Sequence, residues 1–158
     1  ISCGEPIGSI TVSGSQLRGI TLAGSQIPGI IDEIPILAAA AALAHGTTRF
    51  QDIEELKVKE SNRLSAIAAE FTKLGVTLEE GDSELVIHGS TELRPREAMV
   101  DSRGDHRMAM ALAMAATFCT TPVTINDSQC VDISFPRFFS VLDALKGGQG
   151  NAAIIDGR

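Results

Sequence analysis

The sequence predicts an α/β protein (α+β by some schemes) built from a repeated strand–helix–strand–helix–hairpin unit. Three observations carry that reading. Two almost wholly apolar helical runs, "IPILAAAAALAHG" and "RMAMALAMAATFC", each follow a polar start. Each is succeeded by a β-branched strand and then by an amphipathic helix. The order recurs at a constant offset, with Asp105 standing 73 residues after Asp32 and "TTPVTI" about as far after "GTTRF". A unit of this size cannot bury its own apolar face, so the copies are expected to pack together. The apolar helices then belong in the shared middle, with sheets outside.

The elements follow in order. Residues 9–24, "SITVSGSQLRGITLAG", read as two short strands about a polar turn. In "DEIPILAAAAALAHG", Asp32 is placed to cap the helix start, Pro35 fits a first turn and Gly46 stops the helix. Residues 36–44 are apolar on every side, so burial on every side is expected. "TTRFQDI" is a strand. In "KESNRLSAIAAEFTKLG", Leu64, Ile67, Ala68, Phe71 and Leu74 recur at helical spacing, and Gly75 ends the helix. "VTLEEGDSELVIHG" is a hairpin turning near Gly81 and Asp82. Residues 89–103 are loop with at most one short strand. The order then restarts with "DHRMAMALAMAATFC", the strand "TPVTINDS" and the helix "SFPRFFSVLDALKGG", whose Phe139, Leu142 and Leu145 share one side. The units are about 9–88 and 89–146, the second altered at its end, and residues 147–158 form a Gly-rich tail.

Composition narrows the function classes. A chain of 158 residues with 44% hydrophobic content can build a sizeable core, and with six Phe, no Trp and no Tyr that core must be aliphatic. A net charge of -7 argues against a nucleic-acid surface, although a local cluster can still hold a small anion. Cys3, Cys119 and Cys130 are too scattered for a disulfide framework or a metal pair, and read as reduced thiols of a cytoplasmic protein. No apolar run approaches a membrane span, and no signal peptide is read. His45, His88 and His106 lack ligand spacing, so no metal is expected. "GSQLRG" and "GSQIPG" lack the features of a nucleotide-phosphate loop, so no cofactor is expected. The first residues, "ISCGEP", lack Met and read as mid-protein sequence: a fragment, a processed piece, or one part of something larger.

Three polar clusters fall at matching places in the repeat: Asp32-Glu33, then Lys57, Lys59, Glu60, Asn62 and Arg63, then Asp105, His106 and Arg107. Helix starts carry unpaired N–H groups and a positive dipole end, so anions settle there. Arginines at such starts are costly unless something negative accompanies them, and their planar forks suit carboxylate or phosphate. Plainer roles stand beside this reading. Lys57 and Lys59 can be solvated strand residues, Glu60 can pair with Arg63 or Lys57, Asp105 can be an N-cap, and His106 a surface histidine.

"IIDEIPILAAAAALAHGTT", "LKVKESNRLSAIAAEFTKLG", "GDHRMAMALAMAA" and "PVTINDSQCVDISFPRFF" resemble, in order, the carboxy-terminal part of the EPSP synthase (3-phosphoshikimate 1-carboxyvinyltransferase) family. The similarity runs over about residues 4–145. A sister family, the UDP-N-acetylglucosamine enolpyruvyl transferases, fits less well. The resemblance implies an inside-out α/β barrel made of repeated βαβαββ units, here about two units of one domain. It implies transfer of an enolpyruvyl group from phosphoenolpyruvate to the 5-hydroxyl of shikimate 3-phosphate, with release of phosphate. By the same resemblance, Asp32 is the acid/base at the target hydroxyl and Lys59 orients that hydroxyl, both touching shikimate 3-phosphate. Glu60 handles the proton at the methylene carbon, Arg63 and Arg107 clamp phosphoenolpyruvate, and His106 hydrogen-bonds near Glu60. Proton addition at a vinyl carbon as an alcohol loses its proton requires such an acid and base. Two departures stand out: Ile133 where many members carry Lys, and Gly104 where many carry a polar residue. The complementary amino-terminal part of such an enzyme would supply the rest of the site. The alternative is an inactive isolated domain with weak anion binding.

Overall fold

The computed structural model describes Gly4, residues 7–145 and the backbone of residues 154–157. The first half runs β1 (Thr21–Leu22), α1 (Ile34–Ala42), β2 (Thr47–Gln51), α2 (Arg63–Lys73), β3 (Thr77–Glu80) and β4 (Glu84–His88). The second runs β5 (Met99–Asp101), α3 (His106–Ala116), β6 (Val123–Asn126), α4 (Phe138–Leu145) and β7 (Ile154–Gly157). Short 3-10 segments precede α1 (Ile31–Glu33), α2 (Glu54–Val58) and α4 (Ser128–Ile133).

β1–β4 form one sheet in the order β1-β2-β4-β3, with β1 parallel to β2 and the other pairs antiparallel. β5, β6 and β7 form a second, parallel sheet. Strand–helix–strand–helix therefore occurs twice, ending first in the hairpin β3–β4 and then in the single strand β7. A hairpin reverses the chain once more than a single strand does. That is why β4 lies antiparallel beside β2 while β7 lies parallel beside β6. Residues 154–157 correct the reading of 147–158 as tail alone; its glycine-rich stretch, 147–153, lies outside the described residues.

Alternation on β2 turns Thr48 and Phe50 inward and leaves Thr47 and Arg49 outside. Phe50 faces Leu85 across the ladder, and Leu85 and Ile87 carry the buried face along β4. α1 packs along α3. Both helices bury alanines, Ala38, Ala41 and Ala42 on one and Ala109, Ala113 and Ala116 on the other, and such small side chains permit close approach. α2 adds Leu64, Ile67 and Phe71, with Leu74 at its C-cap. Burying side chains of this kind is worth roughly 1.5–3 kcal/mol each. That gain lets the same helix carry a buried cation at its first residue. Gly75 then takes φ 89, and its Cα lies so close to the Arg94 carbonyl that no side chain would fit.

Several local expectations are corrected. Residues 9–24 give only β1 and a single Arg18–His45 bridge, not two strands. Ile10 and Val12 are exposed, so their apolar alternation meets no partner face among the described residues. Asp32 caps nothing: it lies in the 3-10 turn, and Glu33 takes the N-cap position without a side-chain bond. α1 is not buried all round, because Ile36 is exposed and Leu37 and Ala40 are half-buried, along cavities beside the helix. Leu145 leaves the apolar side of α4 and is 78% exposed. The turn Ile31–Glu33 and the starts of α2 and α3 come together at one end of the helix layer, where their polar residues meet.

Candidate active site

Asp105 is the N-cap of α3, and its Oδ1 accepts the Arg107 amide at 3.0 Å. Its carboxylate is buried and faces Arg63, the first residue of α2, whose own start is capped by Asn62 Oδ1 accepting from Ser65 N. Arg63 Nε donates to Asp105 Oδ2 at 2.7 Å and Nη2 to Oδ1 at 3.4 Å, a two-pronged pairing across the two helix starts. Ser61 Oγ adds a donor to Asp105 Oδ2 at 3.2 Å. Arg63 also donates through Nη1 to Asp32 Oδ1 at 2.8 Å and through Nη2 to Glu60. The Arg63 side chain is 0% exposed.

Asp32 is the second hub. Besides Arg63, Lys59 Nζ lies 3.4 Å from its Oδ1 and Arg107 Nη2 3.9 Å from its Oδ2. Arg107 Nη1 donates to the Asp32 carbonyl at 3.0 Å and to Glu33 Oε1 at 3.3 Å. Lys59 also pairs with Glu55. Burial pushes the Asp32 carboxyl up, but the charge and hydrogen bond of Lys59, with Arg107 and Arg63, outweigh it and hold the group below the usual Asp range. Asp105 is held low in the same way, burial opposing and the Arg63 bond and charge prevailing. The Glu55 bond raises Lys59 above its ordinary value, with Asp32 adding to it against desolvation. Both aspartates are therefore ionised at neutral pH.

Beside this network opens a cavity of about 300 Å³, lined by Asp32 and Arg107 and otherwise by Ile36, Met110, Met114, Phe135 and Phe138. A charged pair against an apolar wall suits a small polar ligand. Asp32, Lys59, Glu60, Arg63 and Arg107 thus meet in one place. Glu60 is half-exposed, its side chain at 54%, and the Arg107 side chain is at 34%. His106 stands at the first residue of α3, half-buried, but Glu60 bonds to Arg63, and no His106–Glu60 bond forms among the described residues. Lys57 sits apart, 3.9 Å from Asp82. Ile133 projects into solvent. Asp105, which the sequence marks as an N-cap, is also a hub of the site. The signal for that second role is a carboxylate at a helix start directly before two basic residues. Glu33 and Glu55 carry no such signal. Among the described residues no group of three or more His, Cys, Asp or Glu is placed to hold a metal ion.

An array of carboxylates and fixed cations at converging helix starts, open to a small cavity, defines a polar site with the groups that acid–base chemistry on a small ligand needs. The family model "EPSP synthase (3-phosphoshikimate 1-carboxyvinyltransferase)" matches residues 4–142, and the chain belongs to that family. A 3-phosphoshikimate 1-carboxyvinyltransferase from Desulforamulus reducens is 49% identical over 139 residues, 88% of this chain and 32% of the relative. One from Synechocystis is 49% identical over 145 residues, 92% of this chain and 32% of the relative. A solved structure of EPSP synthase from Acinetobacter baumannii superposes with a TM-score of 0.74 at 33% identity, covering 87% of this chain and 31% of that one. The chain spans about a third of the length of the curated relatives it matches. Among the described residues no helix is long and apolar enough to cross a membrane.

Proposed function

We propose that this chain forms one wall of an active site that transfers the enolpyruvyl group of phosphoenolpyruvate to the 5-hydroxyl of shikimate 3-phosphate, releasing phosphate. The observation that carries the reading is the Asp32 carboxylate, kept ionised among Lys59, Arg63 and Arg107 in a chain of this family. Asp32 takes the proton of the attacking hydroxyl, and Lys59, already 3.4 Å from Asp32, orients that hydroxyl. Arg107, partly open, meets the anionic end of phosphoenolpyruvate. Arg63 is closed by Glu60 and Asp32, so the substrate carboxylate reaches it by replacing the half-exposed Glu60 on Nη2. Glu60, released but still adjacent and protonated from solvent, lends that proton to the methylene carbon. It takes the proton back from the resulting methyl group as phosphate leaves, while the hydroxyl proton held by Asp32 goes out with the phosphate. His106, next to Arg107 on α3, supports Glu60 once it has moved. The division into units at about 9–88 and 89–146, a cytoplasmic setting and the supply of the remaining groups by the complementary amino-terminal part belong to the same reading.

The test is phosphate release from phosphoenolpyruvate and shikimate 3-phosphate after mixing the chain with that amino-terminal part. A soluble complex that binds neither substrate and releases no phosphate sinks the proposal. One observation favours a second reading for the chain by itself. Five carboxylates (Asp32, Glu33, Glu55, Glu60, Asp105) surround three cations (Lys59, Arg63, Arg107). The isolated site therefore repels anions and binds phosphoenolpyruvate weakly at best. Titration followed by amide chemical shifts separates the two, since saturation at micromolar phosphoenolpyruvate would exclude the second.

A further inference from the structure

Glu70 is a buried carboxylate that the proposed chemistry does not use. It lies on α2 seven residues after Arg63, two turns along and on the same side of the helix. Its Oε2 accepts from Lys73 Nζ at 2.8 Å and from the Asp101 amide at 3.0 Å, and its Oε1 accepts from Arg103 Nη2 at 3.1 Å. Asp101 ends β5, and Arg103 lies in the turn from there to α3. That turn is unusual in its backbone, with Arg103 at φ 56 followed by Gly104 at φ 71. A residue with a β-carbon takes such a conformation only where its surroundings hold it. The holding contacts are Glu70 on Arg103 and on the Asp101 amide, Asp101 Oδ1 on the Arg103 amide at 2.6 Å, and the buried Ser102, whose Oγ donates to the Asp127 carbonyl at 2.9 Å. One residue beyond the turn is Asp105. α2 therefore grips the same short segment twice, by a cation onto Asp105 and by an anion onto Arg103. Both gripping groups are buried, so moving the segment would take the buried Asp105 carboxylate off Arg63.

We infer that Glu70 is a positioning residue: through Arg103 and the Asp101 amide it fixes the turn that sets Asp105, His106 and Arg107 against Arg63 and Asp32. Its consequence for ligand binding rests on the proposed function; its consequence for the geometry does not. The experiment reads the two separately, the geometry in the whole 158-residue chain and the binding after the complementary amino-terminal part is added. The Arg63 Nε–H, buried on Asp105, serves as a reporter through its hydrogen-exchange rate in ¹⁵N spectra. Arg103→Ala and Glu70→Gln are compared with Arg94→Ala, which removes an exposed pair with Glu92. They are also compared with Val86→Ala, a core truncation far along the sequence from the turn.

Arg103→Ala and Glu70→Gln are expected to keep the native circular dichroism and to speed Arg63 Nε–H exchange about tenfold more than the β4 backbone amides. With the complementary amino-terminal part added, phosphoenolpyruvate binding should weaken about fivefold, and Arg103→Lys should restore both readouts. Arg94→Ala should change neither readout, and Val86→Ala should speed all core amides alike. Unchanged Arg63 exchange in a folded Arg103→Ala variant, or a rise no greater than that of the β4 amides, overturns the inference. Should Glu70→Gln not fold, the two Arg103 variants decide it. Failure of the unmodified chain, complemented by the amino-terminal part, to bind phosphoenolpyruvate with the exchange result intact would count against the proposed function alone.

Discussion

Replacing Asp105 by alanine tests the Arg63–Asp105 pair most directly. The substitution leaves a guanidinium with no solvent exposure facing an empty site where its shortest bond to Asp105, 2.7 Å, had been. Removing one partner of such a pair costs about 3–5 kcal/mol, and loss of the α3 N-cap adds about 1 kcal/mol. Against a total of about 5–15 kcal/mol for a domain, this is a large fraction. With a urea slope of about 2 kcal/mol/M, the midpoint should fall by roughly 2 M. Asp105→Asn keeps an acceptor for the Arg107 amide and for Arg63 but loses the charge, and should cost about half as much. Combining Asp105→Ala with Arg63→Met removes both charges and should recover most of the loss, leaving about the cap contribution. Urea titrations of the parent chain, the two single variants and the double variant by circular dichroism supply the cycle. A cost below about 1 kcal/mol for Asp105→Ala, or strict additivity in the double variant, would falsify the reading of a buried, coupled pair.

Other consequences are open to measurement. Asp105, Asp32 and Glu70 all sit below their ordinary values; for Glu70, burial is outweighed by the Lys73 bond, the Asp101 amide and Arg103. A depressed carboxyl contributes stability that is full above its unfolded value, near pH 4, and lost as pH falls through its folded value. Urea midpoints should therefore be level from about pH 5 to 7 and drop below pH 4, with a shallower drop in Asp105→Asn. Asp32→Asn, half-exposed in its side chain, should lower the melting temperature less than Asp105→Asn does, yet lower phosphate release in the complemented enzyme by about 10²-fold or more. Gly89 lies against the Ala44 carbonyl, so Gly89→Ala should destabilise by about 2 kcal/mol or more in the same urea assay. Burial pushes the Cys119 thiol up to about 11. Iodoacetamide at pH 8, read by peptide mass mapping, should spare Cys119 in the folded chain and label it in urea.

The elements legible in the sequence are those whose signal is local. α2 announces itself by Leu64, Ile67, Phe71 and Leu74 at helical spacing and by Gly75 in the left-handed stop. The β3–β4 hairpin follows from apolar alternation around Gly81 and Asp82. The N-cap of α3 is likewise visible, because Asp105 stands directly before the helical run, where a carboxylate reaches the amides of the first turn. What the sequence could not show is which charges meet. Asp32 looks like a cap because caps depend on neighbours one turn away, whereas its actual partners stand 27, 31 and 75 residues downstream, at Lys59, Arg63 and Arg107. The exposure of Ile36 is hidden for a related reason: an all-apolar helix carries no mark of which side lacks a neighbour. Periodicity reports the face a segment turns inward, not what stands on the other side of it.

The charge arrangement makes a physical case for reading the site as one wall of a larger one. Phosphoenolpyruvate and shikimate 3-phosphate are both anions, and in a medium of effective dielectric constant about 20, two unit charges 4 Å apart interact by about 4 kcal/mol. Holding both would require a clear excess of positive charge. The cluster has the opposite balance, and its one wholly buried cation, Arg63, is already bonded to three carboxylates. Two of these, Asp105 and Asp32, are held by further partners on α3 and before α2. Glu60, with more than half its side chain exposed, is the one that can leave. An anion can therefore enter here only with cations brought to the open side of the cavity, and when it does, Glu60 is the group it displaces. In the proposed function, the same displacement frees the Glu60 carboxylate from Arg63 and leaves it beside the reacting carbon. Substrate entry and the arming of the acid are then one event. Omitting the complementary part should abolish both, and Glu60→Gln should spare binding while stopping turnover.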